Sequence, residues 1–415
     1  MNVGDRVSIE ADDRTVEGIV LPATSSEHIV VKRAGGYNVG IDRATATVEV
    51  LEAGVHDVRE PDSQSGETST VEFDASLPTI TLLSTGGTIA SSVDYRTGAV
   101  SPRFDVEDVL KAIPELQGLA NYRGRVISNI LSENMDPGVW QTLAEAVAEE
   151  IEQGADGIVV MHGTDTMQYT ASALAFMLET PVPIVFTGSQ RSADRPSSDN
   201  VINAICAIET AKHDIAEVLV CMHESTNDDR CAIHRGTRVR KNHTSRRSAF
   251  ETVGDAPLAT IDVEDRQVTV RSGAVFCERG ENELAIDTDL ETDVELLKFA
   301  PGADPSRVRN CQGAAGVVIE GTGLGHVNEA WVTAIGDLIE SGTPVIMTSQ
   351  CLDGRVCDRV YETGRDLLDA GVIEAEDTLP ETALVKLMWT VANTDDLEEQ
   401  FTTSVAGECR QSTTL

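Results

Sequence analysis

The predicted fold is arranged around one stretch of sequence, Thr81-Leu82-Leu83-Ser84-Thr85-Gly86-Gly87-Thr88-Ile89-Ala90-Ser91. Its apolar beginning, from Ile80 to Leu83, predicts a buried strand. Two glycines directly after a strand allow a tight turn and a close approach of the backbone to a ligand. Thr88 is therefore expected at the carboxyl edge of a sheet, where its hydroxyl is a candidate nucleophile. Taken alone, the run also fits an ordinary strand-to-turn junction.

A second stretch further along the chain repeats this construction. The apolar run from Gly157 to Met161 predicts a strand, and His162-Gly163-Thr164-Asp165-Thr166 follows it directly. Because parallel strands end at one edge of a sheet, Thr88, Thr164 and Asp165 are expected to converge in one crevice. Thr164 and Asp165 also open a predicted helix, so residue type alone favours helix capping over catalysis for this pair.

Together the two runs carry a family resemblance. Thr-Gly-Gly-Thr-Ile-Ala and His-Gly-Thr-Asp-Thr are similar to the two signatures of the bacterial-type L-asparaginase/glutaminase family, and both match without a substitution. The resemblance implies an amidohydrolase whose nucleophile is Thr88 and whose further catalytic residues are Thr164, Asp165 and Lys241. The resemblance implies substrate contacts for Ser132 and Tyr95. Gly87 is a further candidate for substrate binding, because a glycine backbone amide can turn toward a ligand.

Hydrolysis of an amide needs a nucleophile, a group that takes its proton, and donors for the oxyanion. The backbone amides around Gly87 and Thr88 are candidate oxyanion donors, since glycine lets N–H groups turn toward a ligand. The sequence leaves open whether Lys241 moves a proton or only fixes Thr164. His162, alone before a glycine, is interpreted as a structural hydrogen-bonding residue.

No metal or cofactor is expected. The sequence has no cluster of histidine or carboxylate at metal-ligand spacing and no Gly-x-Gly-x-x-Gly after a strand. The eight cysteines show no Cys-x-x-Cys spacing, so neither a zinc site nor a disulfide framework is predicted.

The charge balance indicates a salt-adapted protein. Against 69 Asp and Glu there are 32 Lys and Arg, of which six are lysine, and the net charge is −37. The acidic residues are dispersed, and a hydrophobic content of 41% does not fit disorder. The absence of an apolar window of roughly 18 residues and of a leader pattern at the start leads us to expect a cytoplasmic protein.

We expect this protein to lose structure in dilute buffer and to regain it in molar salt, because ions screen the repulsion among its dispersed acidic groups. Thermal unfolding measured across a series of KCl concentrations tests this expectation. A melting temperature that does not change with salt would contradict it.

The chain pattern predicts an α/β protein with an asparaginase-like fold: two α/β domains with parallel sheets, preceded by a small N-terminal β-barrel. The predicted segments are an SH3-like barrel at 1–56, a linker at 57–77, a large α/β domain at 78–291, a small α/β domain at 305–402 and a loose tail at 403–415. A break around Thr292 to Pro305 separates the two α/β domains. No catalytic constellation lies in the barrel, which we expect to have an interaction role.

The predicted elements of the barrel are strands at Arg6–Ile9, Val16–Val20, His28–Lys32, Tyr37–Ile41 and Thr47–Leu51. In the large domain they are helices at Val106–Ile113, Pro137–Gln153 and Met167–Glu179, with strands near Arg125–Ile130, at Ile184–Phe186 and at Val218–Met222. In the small domain they are strands at Gly316–Ile319 and Pro344–Met347, with helices at Asn328–Glu340, 363–370 and 381–392.

Other stretches resemble the D-subunit family of archaeal glutamyl-tRNA(Gln) amidotransferases. These stretches are Gly36–Ile41, Thr187–Asp199, Glu320–His326 and Pro380–Trp389. Simple asparaginases usually have Ser-Gln-Asp-Met where this chain has Ser132-Glu133-Asn134-Met135, and the N-terminal barrel is an addition to them.

This second resemblance implies a glutaminase that hydrolyses glutamine and releases ammonia to a partner subunit. The implied partner binds tRNA and uses ATP to convert Glu-tRNA(Gln) to Gln-tRNA(Gln). Assembly is expected as a homodimer core in a heterotetramer, with no membrane association. The alternatives are a free-standing cytoplasmic L-asparaginase and a scaffold protein whose asparaginase-like fold has lost catalysis.

The run from Arg235 to Arg247 reverses the charge of the chain, with six Lys and Arg and no acid. In one interpretation the cations act locally, by attracting a substrate carboxylate, bracing acidic neighbours or contacting the partner subunit. In the other they contact tRNA phosphates directly. The acidic balance of the chain opposes the approach of RNA and favours the local interpretation.

Overall fold

A computed structural model describes the chain over residues 1–11, 14–21, 23, 27–34, 38–55, 74–86, 91–93, 100–102, 109–110, 113–193, 195–357, 359–394 and 396–410, with no side chains described at 91–93 and 100–102. Most of the predicted linker and most of the predicted helix at Val106–Ile113 lie outside these ranges. So does Tyr37, the first residue of the fourth predicted strand.

The first element of the fold is a five-stranded antiparallel sheet. Its strands are β1 (Arg6–Ala11), β2 (Arg14–Leu21), β3 (His28–Lys32), β4 (Asn38–Asp42) and β5 (Thr47–Glu52). Their spatial order is β4-β3-β2-β1-β5. Alternate residues point to one face, so Val7, Ile9 and Val31 are fully buried in a core of their own. The prediction of a small β-barrel-like unit is confirmed.

This N-terminal sheet contacts the following domain at two described points. Lys32 Nζ lies 2.8 Å from Glu115 Oε2, and burial lowers the pKa of the lysine while Glu115 opposes that change. The backbone N–H of Asn38 donates to the carbonyl of Ala193 over 2.6 Å. The barrel is therefore docked on the loop that contains Ala193.

Within the described residues, the large domain contains most of the remaining strands and three α-helices that are described over their full length. The strands are β6 (Thr79–Ser84), β7 (Ser91–Val93), β8 (Val100–Pro102), β9 (Asn121–Val126), β10 (Gly157–Met161), β11 (Leu178–Glu179), β12 (Ile184–Thr187), β13 (Val218–His223), β14 (Arg230–Arg235), β15 (Val239–Lys241), β16 (Phe250–Thr252), β17 (Ala259–Asp262), β18 (Val268–Val270) and β19 (Ala285–Ile286). The helices are α1 (Pro137–Glu152), α2 (Met167–Met177) and α3 (Asn200–Ala211).

Eight of these strands form one sheet in the order β18-β17-β14-β13-β12-β10-β6-β9. Five neighbouring strands of this sheet are parallel: β9, β6, β10, β12 and β13. The other three, β14, β17 and β18, each pair antiparallel with their neighbours. The sheet therefore contains the predicted parallel strands, and an antiparallel extension that was not predicted makes it mixed. The reason is local: β13 is followed by a short return to β14, which is too short for the crossover that a parallel strand needs. The other small pairings are β7 with β8, β11 with β19 and β15 with β16.

Successive residues of each strand serve opposite faces of this sheet. Leu83, Val160 and Phe186 pack in the core that includes α1 and α2. Their neighbours Leu82, Val159 and Val185 pack in the core that includes α3. The central strands are thus covered on both sides, which explains their continuous apolar sequence.

Two elements in this domain differ from their predicted bounds by more than one residue. The strand predicted near Arg125–Ile130 is β9, which begins at Asn121 and ends at Val126. The helix predicted to continue to Glu179 ends at Met177, because the next two residues pair as β11 with β19.

The small domain is a four-stranded parallel sheet with helices. Its elements are β20 (Val294–Lys298), α4 (Ser306–Arg309), β21 (Gly316–Gly321), α5 (Glu329–Glu340), β22 (Val345–Ser349), α6 (Glu362–Asp369), β23 (Ile373–Glu374), α7 (Pro380–Asn393) and α8 (Leu397–Thr402). The strand order is β20-β21-β22-β23. β20 lies inside the segment predicted as a break. Its exposed charged residues Glu295 and Lys298 give the strand a polar sequence, which a local pattern does not identify as a sheet strand.

The segment after α8 is packed, in contrast to the loose tail predicted for 403–415. Glu408 is fully buried and its carboxylate lies 2.5 Å from Nζ of Lys386, which is also fully buried, on α7. Ala406 N–H donates to the same carboxylate over 2.7 Å. The polar segment 403–410 is therefore held in part by an ion pair that is buried. Residues 411–415 lie outside the described part of the chain. Within the described ranges, no helix combines the length and apolar character needed to cross a membrane.

Candidate active site

The site lies at the carboxyl edge of the large sheet, where β6 and β10 end side by side. The chain leaves β6 to one side for β9 and then returns across β6 to β10, so the two following loops border one crevice. Thr85 N–H donates to Met161 O over 3.1 Å and joins the two strand ends. Gly86 has φ +111°, and a Cβ there would lie 2.3 Å from Ile130 O, so only glycine fits this turn.

Ser132 is brought to this crevice by the loop after β9. Ser128 Oγ and Ile130 N–H both donate to the carbonyl of Thr85, which ties the loop to the end of β6. Thr166 Oγ1 then donates to Ser132 O over 2.8 Å, across to the loop after β10. Ser132 is buried beside Gly163. A Cβ added to Gly163 would lie 2.6 Å from the Cβ of Ser132.

The structure brings together Thr164 and Asp165, which follow β10, and Lys241, which the family resemblance added to the site. Lys241 Nζ donates to Thr164 Oγ1 over 2.9 Å and to Asp165 Oδ1 over 2.5 Å. The Lys241 side chain is only 9% exposed, whereas that of Asp165 is 65% exposed. The lysine therefore approaches from within the protein, and the carboxylate stands at the mouth of the crevice. No described bond joins the side chain of Thr164 or Asp165 to a helix-terminal N–H, which the capping interpretation would require.

Lys241 is delivered by a braced arm, which we define as residues 235–241. Its last three residues, β15, pair with β16, and Lys241 lies opposite Phe250. Arg238 is buried and donates to Asp377 of the small domain over 3.0 Å. Thr237 Oγ1 donates to Ala406 O over 2.9 Å. The catalytic lysine candidate is thus held in part by the small domain and by the segment after α8.

Three of the predicted site residues, Gly87, Thr88 and Tyr95, lie outside the described residues. The described backbone before them ends at Gly86, a buried residue beside Ile130 in the loop after β9. Their roles remain predictions.

The glycines that pack against the site residues, Gly163 and Gly188, were not predicted from the sequence to have this role. Gly188, which follows β12, has no room for a side chain, since a Cβ would lie 2.9 Å from Thr164 Cγ2. Gly163 and Gly188 each lie within two residues of the end of a strand. A glycine at that position was the one feature of the sequence that could have indicated a close approach of a neighbouring chain segment.

Two buried titratable groups border the site. His162 is fully enclosed, and burial lowers its pKa to about 4 although the Gly163 carbonyl opposes this. Its Nδ1 lies 2.6 Å from Gly163 O, so a neutral imidazole bonds the backbone, as the interpretation of His162 as structural requires. Burial raises the pKa of Glu381, against the effect of Arg240, whose Nε lies 3.3 Å away.

Every cation of the run from Arg235 to Arg247 has a carboxylate partner in the same chain. The pairs are Arg235–Glu217, Arg238–Asp377, Arg240–Glu381, Lys241–Asp165, Arg246–Glu251 and Arg247–Asp228. This arrangement supports the interpretation in which the cations brace acidic neighbours. Among the residues described, no group of three or more His, Cys, Asp or Glu is placed to hold a metal ion.

Comparison with known families covers nearly the whole chain. The matched family models are "Asparaginase, N-terminal" over residues 79–275, "Glutaminase/Asparaginase C-terminal domain" over 293–402 and "GatD N-terminal domain" over 1–51. The D subunit of glutamyl-tRNA(Gln) amidotransferase from Halobacterium salinarum is 62% identical over 413 residues, which are 97% of this chain and 96% of the relative. The chain belongs to the D-subunit family of glutamyl-tRNA(Gln) amidotransferases.

Other members of the D-subunit family and solved asparaginases extend this comparison. The D subunit from Methanosarcina mazei is 53% identical over 409 residues, 95% of this chain and 94% of the relative. The thermostable L-asparaginase from Thermococcus kodakarensis has a TM-score of 0.72 at 32% identity and matches 80% of this chain and 100% of its own. L-asparaginase I from Vibrio cholerae has a TM-score of 0.69 at 27% identity, with 80% and 99% covered. The D-subunit family therefore shares the asparaginase fold.

Proposed function

We propose that this chain is the glutaminase subunit of a glutamyl-tRNA(Gln) amidotransferase. It hydrolyses glutamine and supplies ammonia to a partner subunit that binds tRNA and uses ATP to convert Glu-tRNA(Gln) to Gln-tRNA(Gln). The observation that carries the proposal is the Thr164–Asp165–Lys241 cluster at the sheet edge. It occurs in a chain that resembles amidotransferase D subunits over 97% of its length.

In the proposed first step, the Thr88 hydroxyl oxygen attacks the side-chain amide carbon of glutamine. The backbone N–H groups around Gly87 and Thr88 stabilise the oxyanion that forms. The threonine proton passes to the amide nitrogen, the C–N bond breaks, and ammonia leaves an ester on Thr88. Water then attacks the ester carbon, which releases glutamate and restores the hydroxyl.

Thr164 and Lys241 are proposed to transfer protons in these steps. Since Lys241 donates to Thr164 Oγ1, the hydroxyl proton of Thr164 points away from the lysine. It is therefore available to a water or to the reacting group. Asp165, exposed and bonded to the same Nζ, is proposed to hold Lys241 in place and to bind the substrate's α-amino group. Ser132 is proposed to contact the substrate from the opposite loop.

We further propose a cytoplasmic, salt-adapted protein that forms a homodimer core in a hetero-oligomer with the ATP-dependent partner. The net charge of −37 supports the salt adaptation. The N-terminal barrel, which a separate family model, "GatD N-terminal domain", matches over residues 1–51, is proposed as an interaction module.

We expect the isolated chain to hydrolyse glutamine weakly and the rate to rise when the partner subunit and Glu-tRNA(Gln) are added, because ammonia released without an acceptor is lost. The measurement is ammonia release from glutamine and from asparagine, by the chain alone, with partner, and with partner plus charged tRNA. Uncharged tRNA is the matched control. Full hydrolysis by the isolated chain, unchanged by partner and tRNA, would favour the free-standing L-asparaginase.

A further inference from the structure

A buried polar network lies directly behind Thr164, on the side away from Lys241. It begins at Gly188, the residue after β12. A Cβ on Gly188 would lie 2.9 Å from Thr164 Cγ2 and 2.6 Å from His162 O. The Gly188 backbone therefore packs against the methyl branch of Thr164.

That contact matters because threonine is branched at Cβ. Its methyl and hydroxyl groups share one χ1 torsion with three staggered positions, so a wall against the methyl group determines where the hydroxyl points. With Gly188 behind the methyl group, Thr164 Oγ1 lies 2.9 Å from Lys241 Nζ. Displacement of Gly188 would allow the hydroxyl to rotate out of line with the lysine.

Gly188 is held by Asn203, on the first turn of α3. Asn203 is fully buried, and its Nδ2 donates to Gly188 O over 2.9 Å and to Asp199 Oδ2 over 3.0 Å. Its Oδ1 lies 2.6 Å from Nδ1 of His223. Both ends of the amide are occupied, so its orientation is determined by its neighbours.

Asp199 fastens the loop that leads from Gly188 to α3. It is fully buried, and its carboxylate accepts from Ser189 Oγ at 2.9 Å, Gln190 N–H at 3.0 Å and Arg191 N–H at 2.9 Å, besides Asn203. A carboxylate with four donors around it sets the conformation of the entire turn. Neither Asp199 nor Asn203 was assigned a role from the sequence.

We propose that Asn203 and Asp199 are positioning residues for Thr164, which act by holding Gly188 against its methyl group. In the described network, neither residue has a hydrogen bond to Thr164, Asp165 or Lys241. The consequence for turnover rests on the proposed function, whereas the consequence for the conformation of Thr164 does not. A test therefore needs one readout for each consequence.

The test compares Asn203→Ser with Asn121→Ser in the full chain and in its complex with the partner. Asn121 is a matched control: it is also buried, and its Nδ2 donates to the carbonyls of Asp74 and Leu77, each over 2.8 Å, at the amino end of β9. The direct readout is the methyl NMR resonance of Thr164, assigned by its loss in Thr164→Ser. The second readout is kcat and KM for glutamine hydrolysis.

Asn203→Ser should shift the Thr164 methyl resonance and lower kcat by about 100-fold with little change in KM, since a misplaced catalytic group slows the chemical step more than binding. Asn121→Ser should do neither. If Asn203→Ser does not fold, Asp199→Asn replaces it in the test. The new amide NH₂ would face groups that donate to the Asp199 carboxylate, so this variant is expected to give the same two changes.

A folded Asn203→Ser protein with an unchanged Thr164 resonance would overturn the proposal, as would an equal loss of kcat in Asn121→Ser. If the unsubstituted complex hydrolyses no amide, the proposed function fails. The NMR comparison still decides whether Asn203 positions Thr164, so the two failures are distinguishable.

Discussion

Replacement of Thr164 with alanine should lower kcat/KM for glutamine hydrolysis by about 10²- to 10⁴-fold, the usual contribution of a group that transfers protons in the transition state. The protein should remain folded, because the lost hydroxyl makes its described bond only to Lys241. Lys241→Met should cause a loss of similar size. Since the two groups act through one hydrogen bond, the double variant should lose little more than the worse single variant.

The measurement is ammonia release by the complex with charged tRNA, with circular dichroism as a check on folding. Thr170→Ala is the matched control, since Thr170 is buried in the first turn of α2 and its Oγ1 donates only to the carbonyl of Thr166 in the described network. Near-normal turnover in Thr164→Ala would return Thr164 to a structural role. Multiplicative losses in the double variant would contradict a shared function with Lys241.

Removal of one partner of the buried pair Lys386–Glu408 should destabilise the protein by about 3–5 kcal/mol, because an uncompensated charge would remain in the interior. Both side chains are fully buried, and Lys386 Nζ also donates to Thr403 O over 3.0 Å. Glu408→Gln and Lys386→Met are the single variants. Urea unfolding in molar salt gives the change in stability.

The matched control is Glu149→Gln, which breaks the ion pair of Arg125 and Glu149. Their side chains are 42% and 54% exposed, so the loss should be about 0–1 kcal/mol. Simultaneous replacement by Lys386→Met and Glu408→Leu should recover part of the stability lost in the single variants, because no buried charge remains, although the N–H groups of Val405 and Ala406 lose their acceptor. Single variants as stable as the control would show that the pair does not hold the segment after α8.

The sequence was most informative where local pattern and position in the fold agree. The apolar runs at Ile80–Leu83 and Gly157–Met161 are continuous because both faces of their strands are covered, and their shared edge follows from parallel pairing. That edge presents Thr164 directly after β10. Lys241, 77 residues later in the chain, is brought to it by the arm at 235–241 and not by the large sheet.

The sequence was least informative where polar residues are buried by partners distant in the chain. Glu408 and Asp199 lie in polar stretches whose composition is typical of surface loops. Only tertiary contacts show that their carboxylates are buried. Charge in β20 similarly concealed a strand at the edge of the small sheet. A local pattern predicts burial from hydrophobicity, so it cannot detect a charge that is neutralised by a residue on another element.

The bracing of the catalytic arm bears on how such enzymes can be recombined. The matched C-terminal family model ends at residue 402, yet Ala406 and Gly407 accept hydrogen bonds from Thr237 and Arg238 of the arm that carries Lys241. A chimera joined at residue 402, or one that exchanges the small domain without its following segment, would separate the arm from these acceptors. The small domain is therefore not an interchangeable module, and a functional graft must include residues 403–410 from the same parent.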